Sequence, residues 1–227
     1  MSAQLLLTFD DRHVAGWEAA LPLFDAVGAR VTFFVVEADL LDDQEQAGIR
    51  RILSAGHSVG SHGARHRNAD QTIAEVGAAD YLRTEIVSSV EALRALGASA
   101  NSFAYPNSRR DDTTDAVLLK VFDRLRGGGP RTTDLMAARS AVVAGNPRVF
   151  PARGFDTGRG EVPHLNDAAT LSKLLHELAE GGGTLVLYAH EIAPVAPGNH
   201  IHPDRLAAVL TEAHNLGLHM IGYDDLD

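Results

Sequence analysis

Short apolar runs alternate along this chain with longer stretches in which apolar residues recur every three or four positions. Leu5 to Phe9, Val31 to Val36, His57 to Gly60, Ser102 to Tyr105, Val149 to Arg153, Thr184 to Ala189 and Leu218 to Tyr223 read as strands. Between them, Trp17 to Val27, Asp43 to Ala55, Thr72 to Leu96, Thr113 to Leu125, Asp167 to Glu180 and Asp204 to Leu216 read as helices. The clearest is the third, where Ile73, Val76, Ala79, Leu82, Ile86, Val90, Leu93 and Leu96 share a face and Gly97 is the stop. Strand–helix alternation predicts an α/β fold, a distorted and incomplete (β/α) barrel of about seven parallel strands. The irregularity is expected between Gly127 and Asn166, where strands follow one another without a convincing helix. An open doubly wound sheet is the competing layout, but no Gly-rich nucleotide loop follows the first strand.

With 227 residues, 45% of them apolar, the chain can bury a full core and is expected to form a single domain over residues 1–227. Its net charge of −10 argues against nucleic acid or an anionic membrane as partner, because phosphate binding needs clustered Lys and Arg. There is no cysteine, so a metal would have to be held by His and carboxylates. No apolar run approaches bilayer length and no export signal is visible at the first residues. The expectation is therefore a chain with no membrane span, cytoplasmic as it stands and secreted if a leader precedes it.

The polar residues that matter fall at strand ends. Asp10 and Asp11 close the first strand, and two adjacent carboxylates are costly unless a cation, most simply a divalent metal, sits between them. His62 and His66 stand at i and i+4, one above the other if the segment turns helically, a spacing that suits chelation. Tyr105, Arg153, Asp156 and His190 also lie at carboxyl ends of strands, the face where parallel α/β folds build active sites. Taken singly, a strand-end Asp is usually a helix cap and a lone His a solvated imidazole; it is their convergence on one rim that points to chemistry.

Thr8-Phe9-Asp10-Asp11 is similar to the first motif of the polysaccharide deacetylases of carbohydrate esterase family 4, the NodB-homology domain, and Ser61-His62-Gly-Ala-Arg-His66 resembles the second. Phe103-Ala-Tyr105-Pro106 resembles the third motif and Leu185-Val-Leu-Tyr-Ala-His190 the fifth. The resemblance implies a distorted (β/α) barrel and a Zn2+ ion, or another divalent metal such as Co2+ or Ni2+, held by Asp11, His62 and His66. It makes Asp10 the general base and His190 the general acid. The Tyr105 backbone N–H would hold the oxyanion, with Pro106, Arg153 and Tyr188 on the substrate side. The implied reaction is removal of N-acetyl groups from amino-sugar units of a glycan. Two alternatives stand beside it: an O-acetyl esterase or amidohydrolase acting on a small amide, and a non-catalytic member that binds glycan or metal.

This chain departs from the family pattern at several positions. Ala104 stands where an arginine normally pairs with the base, which by position passes that task to Arg153 or Arg109. Asn107 and Ser108 replace the aromatic and glycine that commonly follow, and Tyr188 replaces a leucine of the acetyl pocket. His13 reads as a rim contact or a solvated loop residue. His164, His200 and His202 read as surface, with Asn199 to His202 within reach of the groove, and His57, His176, His214 and His219 as structural.

Overall fold

The computed structural model describes residues 3–129, 134–163 and 167–226, so His164 lies outside the described residues. Five parallel strands run in order: β1 (Ala3–Asp11), β2 (Thr32–Val35), β3 (Ser58–Ser61), β4 (Ser102–Ala104) and β5 (Arg124–Arg126). The strand Gly183–Ala189 pairs with the other edge of β1, and Val149–Phe150 pairs with β5. One residue past Pro151 and Ala152, Arg153–Gly154 pairs with Gly183–Ala189 instead, so the chain crosses the gap and nearly closes the barrel. The result is a nearly closed, mostly parallel (β/α) barrel, as the alternation predicts.

β1 shows why the pattern works. Leu5, Leu6 and Leu7 are all fully buried because both faces of the strand are covered. Leu5, Leu7 and Phe9 pack outward with Trp17, Phe24 and Phe33 under the helices, whereas Leu6 packs in the lumen with Phe34, Ala104, Phe150, Val186 and Tyr188. Strand alternation then places Thr8 and Asp10 on the Leu6 side. The lumen is narrow at Gly60, where an added Cβ would stand 2.6 Å from both the Phe34 ring and Ser102 Oγ.

Several elements differ from the pattern reading. The helix expected over Thr113 to Leu125 is only Asp112–Leu118, started by an Asp111/Thr114 capping box, and after a turn Arg124–Arg126 forms β5. The strand expected over Val149 to Arg153 is split at Pro151, whose ring removes a ladder donor. The Trp17 to Val27 helix is two short ones, Val14–Ala19 and Leu21–Asp25, with Pro22 at the start of the second. Thr72 to Leu96 breaks at Gly77 (φ 83°), which leaves Val76 exposed, and its second part widens into a π-helix over Leu82–Val87. The last strand shortens to His219–Met220 before a turn at Tyr223–Asp225.

A second sheet of four short strands, Gly158–Arg159, Val162–Pro163, Glu191–Ile192 and Asn199–Ile201, follows the carboxyl ends of the barrel strands and carries Asn199 to the cleft there.

Candidate active site

Asp10 lies at the top of the lumen, 3% exposed, with a cation beside it. That cation is Arg126, whose Nη2 donates to Asp10 Oδ2 at 2.6 Å. Neither Arg153 nor Arg109 takes the task expected of it: Arg109 pairs with Asp70, and Arg153 is buried on the closing strand with Asp167 as its charge neighbour. Arg126 stands where it does because Ala104 and Arg126 are register partners in the parallel β4–β5 pair and so share the lumen face. Its guanidinium is sandwiched between the Tyr188 ring (4.9 Å) and the Phe34 ring (5.6 Å). Asp10 Oδ1, by contrast, is buried and has no hydrogen-bond partner among the described residues.

Asp11 continues the strand but has φ 82°, so it leaves the alternation and turns toward the loop after β3. There its Oδ1 lies 3.6 Å from His62 Nε2 and 3.4 Å from His66 Nε2, and the two imidazole nitrogens are 3.2 Å apart. Donors about 2.1 Å from one ion at tetrahedral angles are about 3.4 Å apart, so the three atoms fit a single zinc-sized ion. His62 Nδ1 lies 2.8 Å from the Ala104 carbonyl. A carbonyl only accepts, so Nδ1 carries the proton and Nε2 keeps its lone pair for a metal. Burial pushes His62 down to about 4, which keeps it neutral at ordinary pH. Burial works to raise the Asp11 carboxyl, but the His13 hydrogen bond and the charges of His62, His190 and His66 outweigh it and hold it well below the usual range.

Strain collects here too. Asp11, His66, Asn107 and Ser108 all border the cleft and all have positive φ, between 54° and 82°, at roughly 1–3 kcal/mol each.

Across the cleft, His190 is gripped at three points. Its backbone N–H donates to Asp156 Oδ1 (3.0 Å), its ring Nδ1 lies 2.8 Å from Asp156 Oδ2, and its carbonyl accepts from Trp17 Nε1 (3.0 Å). Burial opposes protonation of the ring, but Asp156, followed by Asp10 and Asp11, raises it to about 9, so the ring is an imidazolium at neutral pH. With Nδ1 on Asp156, Nε2 is the nitrogen left to donate.

Asp10, Asp11, His62, His66, Tyr105, Tyr188 and His190 all line one cleft of about 150 Å3. Arg153 and Pro106 do not. Asn107, Ser108, Arg126 and Asn199 complete the lining. Tyr105 lines it, but its N–H donates to the Arg126 carbonyl (2.9 Å) and its hydroxyl to Asp115 (2.8 Å), so both donors are committed inside the protein. Tyr188 presses against Gly154, where a Cβ would come within 3.2 Å of the phenol. His13 bridges the rim, 3.9 Å from Asp11 Oδ2 and 3.6 Å from Glu191.

The family model for polysaccharide deacetylase matches residues 2–121, just over half of the sequence. The chain belongs to that family, the hydrolases of carbohydrate esterase family 4. Its fold is similar to that of a candidate polysaccharide deacetylase from Mycobacterium smegmatis, with a TM-score of 0.66 and 16% identity over 99% of this chain and 89% of that one. A polysaccharide deacetylase from Bacillus cereus gives a TM-score of 0.60 and 17% identity, covering 98% of this chain and 93% of its own. A family 4 carbohydrate esterase from Streptomyces lividans, solved with acetate, gives 0.56 and 16%, over 94% and 87%. At these identities the likeness is one of fold. No curated protein matches the sequence.

Proposed function

We propose that this chain is a zinc-dependent deacetylase that hydrolyses the N-acetyl amide of amino-sugar units in a glycan. The observation that carries the reading is the meeting, on one small cleft, of three donors spaced for one ion, a buried Asp10 Oδ1 without a hydrogen-bond partner among the described residues, and an imidazolium. Two imidazoles and a carboxylate suit zinc and leave a coordination position open, with Co2+ and Ni2+ as substitutes. When bound, the ion would supply Lewis acidity toward the acyl oxygen and lower the pKa of a water beside it.

The chain's own groups do the rest. Arg126 occupies Asp10 Oδ2 and fixes the carboxylate, so Oδ1 is the oxygen that takes the proton of the attacking water. Because the Tyr105 N–H is spent on the sheet and Pro106 has none, the next backbone donor along the chain is that of Asn107, which we assign to the acyl oxygen as charge builds on it. His190, kept charged by Asp156, gives its Nε2 proton to the departing nitrogen. Acetate and a free amine leave.

One observation favours a short substrate. All eight Phe, all four Tyr and Trp17 are buried, so no Phe, Tyr or Trp ring is offered at the rim for a sugar in a neighbouring subsite. The cleft is small, about 150 Å3. A single amino sugar, a short oligomer or a small acetylated amide therefore fits better than a long polymer held along several subsites. Acetate release measured across N-acetylglucosamine and its oligomers, acetylated xylan and small acetamides tests both parts. Release from the N-acetyl compounds, with little gain beyond the first few sugar units, is the expected result. Release from acetylated xylan alone would replace the amidase reading with an esterase.

A further inference from the structure

We infer that Glu85 is a positioning residue for metal capture, clamping the loop between His62 and His66 so that both imidazoles meet on one point; the inference rests on the metal reading above. Glu85 is 1% exposed, sits in the π-helical turn Leu82–Val87, and belongs to no step of the chemistry. A buried carboxylate needs a compensating role. Here it holds two consecutive backbone donors of the loop: the Glu85 carbonyl accepts the Ala64 N–H at 2.9 Å, and Glu85 Oε2 accepts the Arg65 N–H at 2.9 Å. One turn further along the same helical run, Ser89 Oγ lies 2.9 Å from Ser61 Oγ, which in turn accepts the Gly63 N–H (3.2 Å). On the opposite side the Gly63 carbonyl accepts the Glu37 N–H (3.2 Å).

The loop needs such a hold. Gly63 has φ 84° and His66 φ 55°, and the left-handed turn at His66 is what brings its ring to 4.9 Å from that of His62. A non-glycine residue persists in that region only where its surroundings over-determine it. Glu85 lies within the π-turn Leu82–Val87, a distortion that recurs at functional sites, and faces the loop from there. The space is matched to that carboxylate: a Cβ on Gly63 would stand 3.1 Å from Glu85 Oε2. Glu85 Oε1 has no hydrogen bond among the described residues; Arg67 Nε lies 3.6 Å away. The essential contact is therefore reach to the Arg65 N–H rather than charge pairing.

That distinction sets the test. Glu85→Gln keeps an acceptor of the same length without the charge. Glu85→Asp keeps the charge but draws it back by about 1.5 Å. Zinc affinity, measured by competition with a chromophoric chelator, and thermal unfolding of the metal-free chain are followed for both. The expected result is near-native zinc affinity in Glu85→Gln and about 10- to 100-fold weaker binding in Glu85→Asp, the range for residues that orient metal ligands, with Glu85→Asp still folded. Zinc affinity unchanged in Glu85→Asp, whatever its unfolding temperature, would leave Glu85 a purely structural residue and overturn the inference. Equal weakening in both variants would also overturn it, because charge would then be the operative property. Failure of the native chain to bind zinc at all would bring down the metal reading itself, an outcome distinct from either.

Discussion

Ala104 and Arg126 face each other as register partners across β4 and β5, and the guanidinium of Arg126 reaches Asp10 at 2.6 Å. The cation that the motif resemblance would place at position 104 is supplied here from the next strand, on the same face of the barrel.

The relocation can be reversed. Arg126→Ala should leave the Asp10 carboxylate buried without a partner and cost roughly 3–5 kcal/mol of stability, as removal of one member of a buried pair does. Adding Ala104→Arg to that variant should recover a large part of the stability and activity, since the new side chain starts from the facing position. Chemical denaturation and kcat, measured on the single and double variants, check this. A double variant no better than Arg126→Ala would mean that position 104 cannot deliver the charge to Asp10.

Asp10 and Asp11 should separate cleanly. On the proposed assignment Asp10 is base and not ligand, so in Asp10→Asn zinc content should stay at the native level while kcat falls about 10²-fold or more. Asp11→Ala should lose metal and activity together. Metal analysis on the same preparations as the kinetics decides, and loss of zinc in Asp10→Asn with a native rate in excess zinc would exchange the two roles.

His190 makes a prediction about stability and pH. Its ring is raised to about 9 in the folded, metal-free chain, above the ordinary 6.5. The folded state therefore binds the proton more tightly, so this stabilisation is complete below pH 6.5 and is lost as pH rises through 9. His57 and His62, both pushed down to about 4 by burial, act only below 6.5 and leave the window clear. Denaturation midpoints of the metal-free chain should fall between pH 6.5 and 9, and Asp156→Asn should flatten that slope. An equal slope in the Asp156 variant would assign the effect to another group.

The same residue should show its chemical role through the leaving group. His190→Ala is expected to lose about 10²- to 10⁴-fold in rate on an N-acetyl amide, where the nitrogen leaves poorly without a proton. An activated aryl acetate needs no such help and should suffer far less. Equal losses on both substrates would make His190 an orienting residue.

What the sequence made legible, and what it did not, follows from the range of each signal. The strand-end positions of Asp10 and His190 could be read because apolar strands buried on both faces stand out as continuous runs, whereas His62 is legible through its i, i+4 spacing from His66. β5 could not be read that way. Arg124-Leu-Arg126 carries one apolar residue between two cations, has no Gly or Pro separating it from the preceding helix and is kept in the sheet by its neighbours rather than by its own propensity. Without that strand Arg126 has no visible place on the lumen face, and position alone points to Arg153 or Arg109 as the charge for Asp10. The one available clue was Ala104, whose small side chain leaves room on its face for a partner's long one. Glu85 is hidden for a different reason: a single acid in an amphipathic helix reads as a solvated charge, and its burial under the loop after β3 is a tertiary contact that helical periodicity does not show.

The most direct test of the central claim is zinc titration of the metal-free chain, with acetate release from an N-acetylglucosamine oligomer measured at each step. Activity should rise with added metal and level off at about one equivalent per chain, as a single three-donor site requires. His66→Ala, folded to the same degree, should show no such rise in the same range. Acetate release that is undiminished in the metal-free chain, or a plateau that His66→Ala reproduces, would contradict the assignment of Asp11, His62 and His66 as the site of catalysis.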